Sequence, residues 1–230
     1  MSLDAILFDV DGTLSETEEV HRRAFNETFK ARGLGWRWSQ HLYGKLLKVT
    51  GGKERIKHYI NEYDPSVSLS DEDIAQLHKA KTAYYVELIG SGEARLRPGV
   101  ADLIHEAHDA GIKLAIATTT SVPNVEALLT GTLGADAMKL FDAVAAGDMV
   151  PAKKPAPDVY IKALKDLGLD SKHCIAIEDS ENGLTSALGA GVPTMVTVSA
   201  YTRGQDFSGA LSVVDSLDGV GIERLRALTG

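Results

Sequence analysis

The 230-residue chain is short of cysteine, of positive charge and of long apolar runs. Its single cysteine, Cys174, has no partner for an internal disulfide, so the expected setting is a reducing cytoplasm. With 24 Lys and Arg against 32 Asp and Glu, the formal net charge is −8. That balance argues against a nucleic-acid binder or an anionic-membrane binder, both of which need a basic footprint. No apolar stretch approaches the length of a bilayer span, and the first strand-like run begins too early to leave room for a signal peptide. The histidines show no ligand spacing, so no zinc site is expected. Internal repeats and low-complexity tracts are missing too. What is present is ordinary for a globular protein: 44% hydrophobic and 24% charged residues, enough for one large domain or a domain with an insertion. The expected assembly is a monomer.

Short apolar runs alternate with helical patterns through most of the chain. Residues 5–10, 112–118, 141–147, 174–180 and 192–198 read as buried strands. Between them, 99–111, 122–134, 155–168 and 180–191 carry apolar positions at helical spacing. Gly111, Gly168 and Gly191 are placed to end three of these helices, and Pro98, Pro123 and Pro155 stand near helix starts. The alternation predicts an α/β fold with a doubly wound parallel sheet. Residues 16–90 break the rhythm, with helical patterns around 16–31, 39–48, 53–62 and 70–89 and no convincing strand. This division predicts a core built from 1–15 and 91–230 and a four-helix cap from 16–90, with Trp36 and Trp38 in the cap's interior.

In open parallel sheets, functional groups collect beyond the carboxyl ends of the strands. Four such ends here carry polar residues: Asp9 and Asp11; Thr118-Thr119-Thr120; Lys153-Lys154-Pro155; and Glu178-Asp179. Carboxylates brought together repel one another unless a cation offsets them. Oxygen donors without nearby His or Cys suit a hard ion, with Mg²⁺ the expected one. A lysine and a threonine hydroxyl add the point charge and neutral donor that a phosphoryl group needs. Two aspartates in one extended strand would point to opposite sides, so Gly12 is expected to bend the chain. Within the cap, Gly51-Gly52-Lys53-Glu54-Arg55 offers free N–H groups and two cations at a helix start, a second place for phosphate.

Asp9-Val10-Asp11-Gly12-Thr13, Thr118, Lys154 and Glu178-Asp179 stand in the order found in phosphatases of the haloacid dehalogenase superfamily, and the chain resembles the branch with a helical cap after the first strand. The segments DGTLSETEEVHRRAFN, VTGGKERI, AAGDMV and AYTRG are similar to CbbY-type sugar-bisphosphate phosphatases, relatives of beta-phosphoglucomutase. The resemblance implies a Rossmann-like core and an Asp9 nucleophile that forms an aspartyl-phosphate. Asp11 would be the general acid and base, with Thr118 and Lys154 on the phosphoryl oxygens. A Mg²⁺ ion would be held by Asp9, Asp11 through its backbone carbonyl, and Asp179, with Glu178 either ligating it or holding a bound water. Glu18, His21 and Tyr43 match substrate-contacting positions, and Gly51, Gly52, Lys53, Arg55 and Thr119 complete the implied substrate site. Spacing alone does not separate Lys153 from Lys154; the Pro155-Ala156-Pro157-Asp158 run that follows matches the family and favours Lys154. The implied function is hydrolysis of a small sugar phosphate such as xylulose 1,5-bisphosphate. A phosphomutase shares every core residue, and a non-catalytic sugar-phosphate sensor is the rival of another class.

Overall fold

The computed structural model describes residues 2–230. Strand β1 (Ala5–Phe8) is followed by four helices, α1 (Glu18–Ala31), α2 (Gln40–Leu46), α3 (Gly52–Tyr63) and α4 (Asp71–Gly90). The alternating part comprises α5 (Val100–Asp109), β2 (Lys113–Ala117), α6 (Val122–Leu133), β3 (Ala143–Ala145), α7 (Asp158–Leu167), β4 (Cys174–Glu178), α8 (Glu181–Gly189) and β5 (Thr194–Thr197). A short strand β6 (Ser212–Val214) and helix α9 (Ile222–Thr229) close the chain. Neither of these last two was anticipated, because three half-exposed residues carry too little pattern to announce a strand.

The six strands run in the order β3-β2-β1-β4-β5-β6, all neighbours parallel. The alternation of side chains along β1 divides the core into two layers. Ile6 and Phe8 face one cluster with residues of α5, α6 and α9, whereas Ala5 and Leu7 face another with α7 and α8. Both faces are covered, which is the doubly wound arrangement expected. Phe8 pairs with Ile116 on one side and Ile177 on the other, so β1, β2 and β4 end at one level. Asp9, Thr118 and Glu178 therefore emerge along a single edge.

Local signals decide most of the boundaries. Gly111, Gly168 and Gly191 all take positive φ where helices end. Ser70 caps α4 in a reciprocal box with Asp73. Pro155 is the exception: α7 begins at Asp158, with Pro157 at its N-cap, and Pro155 belongs to the preceding turn. That turn is tied by the Ala156 N–H to the Lys153 carbonyl, 2.9 Å.

Helices α1–α4 bury a cluster of their own around Phe25, Phe29, Trp36, Trp38, Tyr43 and Leu46. Trp38 is fully buried, with ring centroids 4.7 Å from Phe25 and 4.8 Å from Phe29. At the other end, Val20 and Ala24 of α1 and Tyr85 and Ile89 of α4 join the cluster on the sheet. Trp38→Ala is expected to cost about 3–5 kcal/mol. Urea denaturation should show the lower midpoint, and amide exchange should show α1–α4 losing protection before β1.

Candidate active site

Beyond the strand ends, a cavity of about 430 Å³ lies between the sheet edge and helices α1, α3 and α4. Asp9, Asp11, Lys154 and Asp179 line it from the sheet side, and Glu18, His21, Gly51, Gly52, Lys53 and Arg55 from the helical side. Thr119 and Lys153 also reach it, while Thr118, Tyr43 and Glu178 lie behind its walls.

Its floor is a buried charge cluster. The Lys154 ammonium donates to Asp9 Oδ1 at 2.7 Å and to Glu178 Oε1 at 2.6 Å. Glu178 Oε1 also accepts the Tyr160 hydroxyl at 2.7 Å, and its Oε2 accepts the Asp179 N–H at 3.2 Å. Every oxygen of this fully buried carboxylate thus has a protein donor, which makes Glu178 the anchor of Lys154. Lys153 goes elsewhere: its ammonium donates to the Gly147 carbonyl and lies 3.6 Å from Asp148 at the rim. The structure separates the two lysines that spacing left equivalent.

Carboxylate oxygens of Asp9, Glu178 and Asp179 fall within 4.8 Å of one another. Three acids around one ammonium leave excess negative charge in a dry place. Burial, with Glu178 and Asp11 adding to it, pushes the Asp9 carboxyl up to about 7 against the pull of Lys154. Burial and the charges of Asp9 and Glu178 likewise hold Asp179 well above the usual carboxylate range. Lys154, despite its burial, is raised by the same two acids, Asp9 and Glu178. A hard divalent cation such as Mg²⁺ fits this oxygen-only, under-neutralised set. The carboxylate of Asp11 is outside the set, so any ligand from that residue would be its main-chain carbonyl.

Backbone geometry sets the approach. Gly12 has φ +87°, and a Cβ there would stand 2.1 Å from Asp179 Oδ2. Only glycine lets the turn lie against the acidic group. Arg97, which the sequence did not mark as a site residue, braces the same turn. Its guanidinium donates to the carbonyls of Gly12, Thr197 (3.0 Å), Val198 (2.7 Å) and Asp215 (2.8 Å).

The turn sends the Asp11 side chain away from Asp9. Its Oδ1 accepts the Thr17 hydroxyl and His21 Nε2, the latter at 2.9 Å. Lys81 donates to His21 Nδ1, which leaves the ring proton on Nε2, directed at Asp11. Burial works against the Asp11 carboxylate, yet His21, Thr17 and the charge of Lys81 bring it down to about 2. Burial lowers Lys81 itself to about 7, although Asp11 pulls the other way. Lys81 was missed, but a signal existed: it occupies the buried stripe Ile74, Leu77, Lys81, Tyr85, Ile89 of α4, where an apolar residue is the norm.

On the helical side, Tyr43 is fully buried; its hydroxyl donates to Glu18 at 2.9 Å and accepts from Arg55 at 3.1 Å. It aims two cavity-lining residues from behind. Gly51 and Gly52 start α3, and Lys53 meets Asp148 of the sheet side at 3.1 Å. Thr118 is buried beneath Thr119, its hydroxyl accepting the Thr120 N–H at 3.2 Å.

The model of the haloacid dehalogenase-like hydrolases matches residues 3–191. Protein CbbY of Rhodobacter capsulatus is 56% identical over 211 residues, covering 91% of this chain and 92% of that protein. A crystal structure of a CbbY mutant from Rhodobacter sphaeroides in complex with xylulose-(1,5)bisphosphate is 50% identical, with a TM-score of 0.92 over 97% of this chain and 99% of that one. Beta-phosphoglucomutase from Clostridium difficile shares the fold, with a TM-score of 0.82 at 22% identity over 99% and 97% of the two chains. With the family model spanning most of the sequence and a relative this similar along nearly its whole length, the chain belongs to the haloacid dehalogenase-like hydrolase family.

Proposed function

We propose that the protein is a phosphatase acting on a small sugar bisphosphate, with xylulose 1,5-bisphosphate the leading substrate. The observation that carries this reading is the pairing of Asp9 with Lys154 at the cavity floor while Asp11, two residues on, is held apart by Thr17 and His21. One carboxylate is placed to attack and the other to handle protons. The ligand of the Rhodobacter sphaeroides CbbY structure, at 50% identity, supports the choice of substrate.

In the first half-reaction an Asp9 oxygen attacks phosphorus, the bond from phosphorus to the sugar oxygen breaks, and Asp11 gives that oxygen its proton. In the second, water attacks the aspartyl-phosphate, Asp11 takes the water's proton, and inorganic phosphate leaves. Thr17 and His21 favour the ionised Asp11 that the second step uses. An arriving phosphate dianion raises its proton affinity, as the first step requires. In this reading Lys154 and Thr118, with Thr119 beside it, take the phosphoryl oxygens. Bound between Asp9, Asp179 and the Asp11 carbonyl, Mg²⁺ would neutralise the charge that gathers on the transferring group.

Residues 16–90 act in this reading as a cap over a core of 1–15 and 91–230. Lys53, Arg55 and the amides at Gly51-Gly52 take the distal phosphate, and Glu18 the sugar hydroxyls. Binding at both ends of the substrate positions the reacting phosphate and favours closure.

Phosphate release from xylulose 1,5-bisphosphate is expected to need Mg²⁺, to stop with EDTA and to return when the metal is restored. Asp9→Asn should abolish release while leaving the circular dichroism spectrum unchanged; turnover by that variant would refute the nucleophile. Supplied with β-glucose 1-phosphate and a catalytic bisphosphate, the enzyme should release phosphate faster than it forms glucose 6-phosphate, and the opposite order would identify a mutase. No release from any sugar phosphate would favour the sensor.

Lys81→Met should lower kcat by about tenfold or more, since His21 loses the partner that sets its tautomer. The variant also has a stability signature. Folding lowers the Lys81 pKa from 10.5 to about 7, so between those values the unfolded chain holds more protons. The wild-type protein therefore gains stability as pH rises from 7, by about 1 kcal/mol per unit from this group. Urea midpoints at pH 7, 8 and 9 should show that gain in the wild type and its loss in the variant.

A further inference from the structure

Tyr201 belongs to the sheet by sequence, four residues past the end of β5, yet it is partly buried against the cluster that α1–α4 enclose. Among the described residues it is the only one from outside 16–90 that packs against that cluster. Its ring stands edge-on to Tyr43, with centroids 6.0 Å apart and planes at 88°. The same ring lies over Gly44, close enough that a Cβ there would touch it at 3.6 Å, ordinary van der Waals contact. The hydroxyl donates to the Glu19 carboxylate of α1, which Arg22 grips through Nε at 3.0 Å and Nη2 at 2.8 Å. Arg22 in turn donates to the Trp38 carbonyl at 2.9 Å. One residue earlier, the Ala200 N–H donates to Glu16 at 3.2 Å, beside the point where the chain leaves β1 for the helices.

Near the two connections to the sheet, Val20, Ala24, Tyr85 and Ile89 pack into the sheet cluster and Thr17 and His21 bond to Asp11; the ties further along the helical segment are weaker. Lys53 with Asp148 is a half-exposed ion pair at the rim, and Asn182 reaches the Lys48 carbonyl at 3.4 Å. Exposed pairs of this sort are screened and contribute little. The Thr50 hydroxyl donates to the Lys154 carbonyl, a single bond at the cavity edge. Tyr201 combines partial burial of its ring with a charge-assisted hydrogen bond, and it spans α1 and α2 at once. It also touches the residue that organises the substrate side: Tyr43 holds both Glu18 and Arg55.

We propose that Tyr201 is a clasp, a positioning residue that holds the helical cap closed on the core and, through Tyr43, sets Glu18 and Arg55 against the sugar phosphate. This rests on the reading that the cavity hydrolyses a sugar bisphosphate beneath that cap. Tyr201 borders the cavity, but its ring and hydroxyl are engaged by Tyr43 and Glu19 on the helical side, so its effect falls on substrates that need the cap and spares those that do not. Every cap opening must withdraw its ring from Tyr43 and break its bond to Glu19, and every closure must restore both.

Two variants separate the contributions. Tyr201→Phe keeps the ring and loses the bond to Glu19; it should raise KM for xylulose 1,5-bisphosphate about 3- to 10-fold. Tyr201→Ala loses both and should raise it about 30-fold or more, with a smaller change in kcat. Hydrolysis of p-nitrophenyl phosphate, which is small enough to dispense with the cap, should stay within about twofold of wild type for both. Amide exchange should quicken in residues 18–22 and 40–47 of the Ala variant while β1 stays protected. Unchanged KM for the bisphosphate in Tyr201→Ala, or equal losses on both substrates, would overturn the clasp. If the wild-type protein hydrolyses no sugar bisphosphate, the proposed function fails instead, and exchange at 18–22 and 40–47 still decides whether Tyr201 ties the two parts: protection unchanged by the Ala substitution would overturn the clasp on its own.

Discussion

The contact on which the site depends is the Lys154 ammonium set between Asp9 and Glu178. It is a buried cation with two acid partners, in a place where an unpaired charge would cost several kcal/mol. Glu178, the end residue of β4, is wholly enclosed and holds Lys154 through Oε1. Tyr160 of α7 adds its hydroxyl to the same oxygen. Helix, strand and loop thus converge on one lysine, and that lysine fixes where the Asp9 carboxylate points. Room for this convergence comes from small residues. Gly183 at the start of α8 leaves the space in which the Glu178 carboxylate lies, and a Cβ there would come within 1.9 Å of it.

The two aspartates of the first loop are given different chemistry by different neighbours. Asp9 is pushed up by burial among like charges, whereas Asp11 is held down by donors from Thr17 and His21. Those donors come from the first turn of the helical insertion, and Lys81 behind them comes from its last helix. The insertion therefore does more than cover the cavity. It supplies the groups that decide the protonation of a residue on the sheet. On the proposed reading, closure of the cap would bring these donors to Asp11, which is the step the clasp at Tyr201 would control.

Much of this was legible in the sequence, and the reasons are local. Strand periodicity, terminal glycines and the run of helical patterns in 16–90 are short-range signals, and the elements appear where those signals placed them. The polar residues at four strand ends could be grouped because a parallel sheet obliges its carboxyl ends to share an edge. The misses are equally physical. β6 is three residues at the sheet margin, too short for a period to register, and Pro155 serves a turn instead of a helix start. Tyr43 reads as a contact residue but stands behind Glu18 and Arg55, a matter of burial that no spacing reports. Arg97 escaped notice because its four hydrogen-bond acceptors are main-chain carbonyls, which leave no trace in side-chain composition.

By itself, the sequence determined the doubly wound class, the helical insertion and the set of residues able to meet at one edge, since each follows from periodicity and from the parallel-sheet rule. Only the tertiary structure decided that Glu178 anchors Lys154, that Asp11 turns toward His21 and Lys81, and that Tyr201 reaches the helical segment. Those outcomes depend on distances between segments far apart in the chain. A charge's partner in a folded protein is set by packing in three dimensions, and the adjacent Lys153 and Lys154 meet Gly147 and Asp9 respectively for that reason.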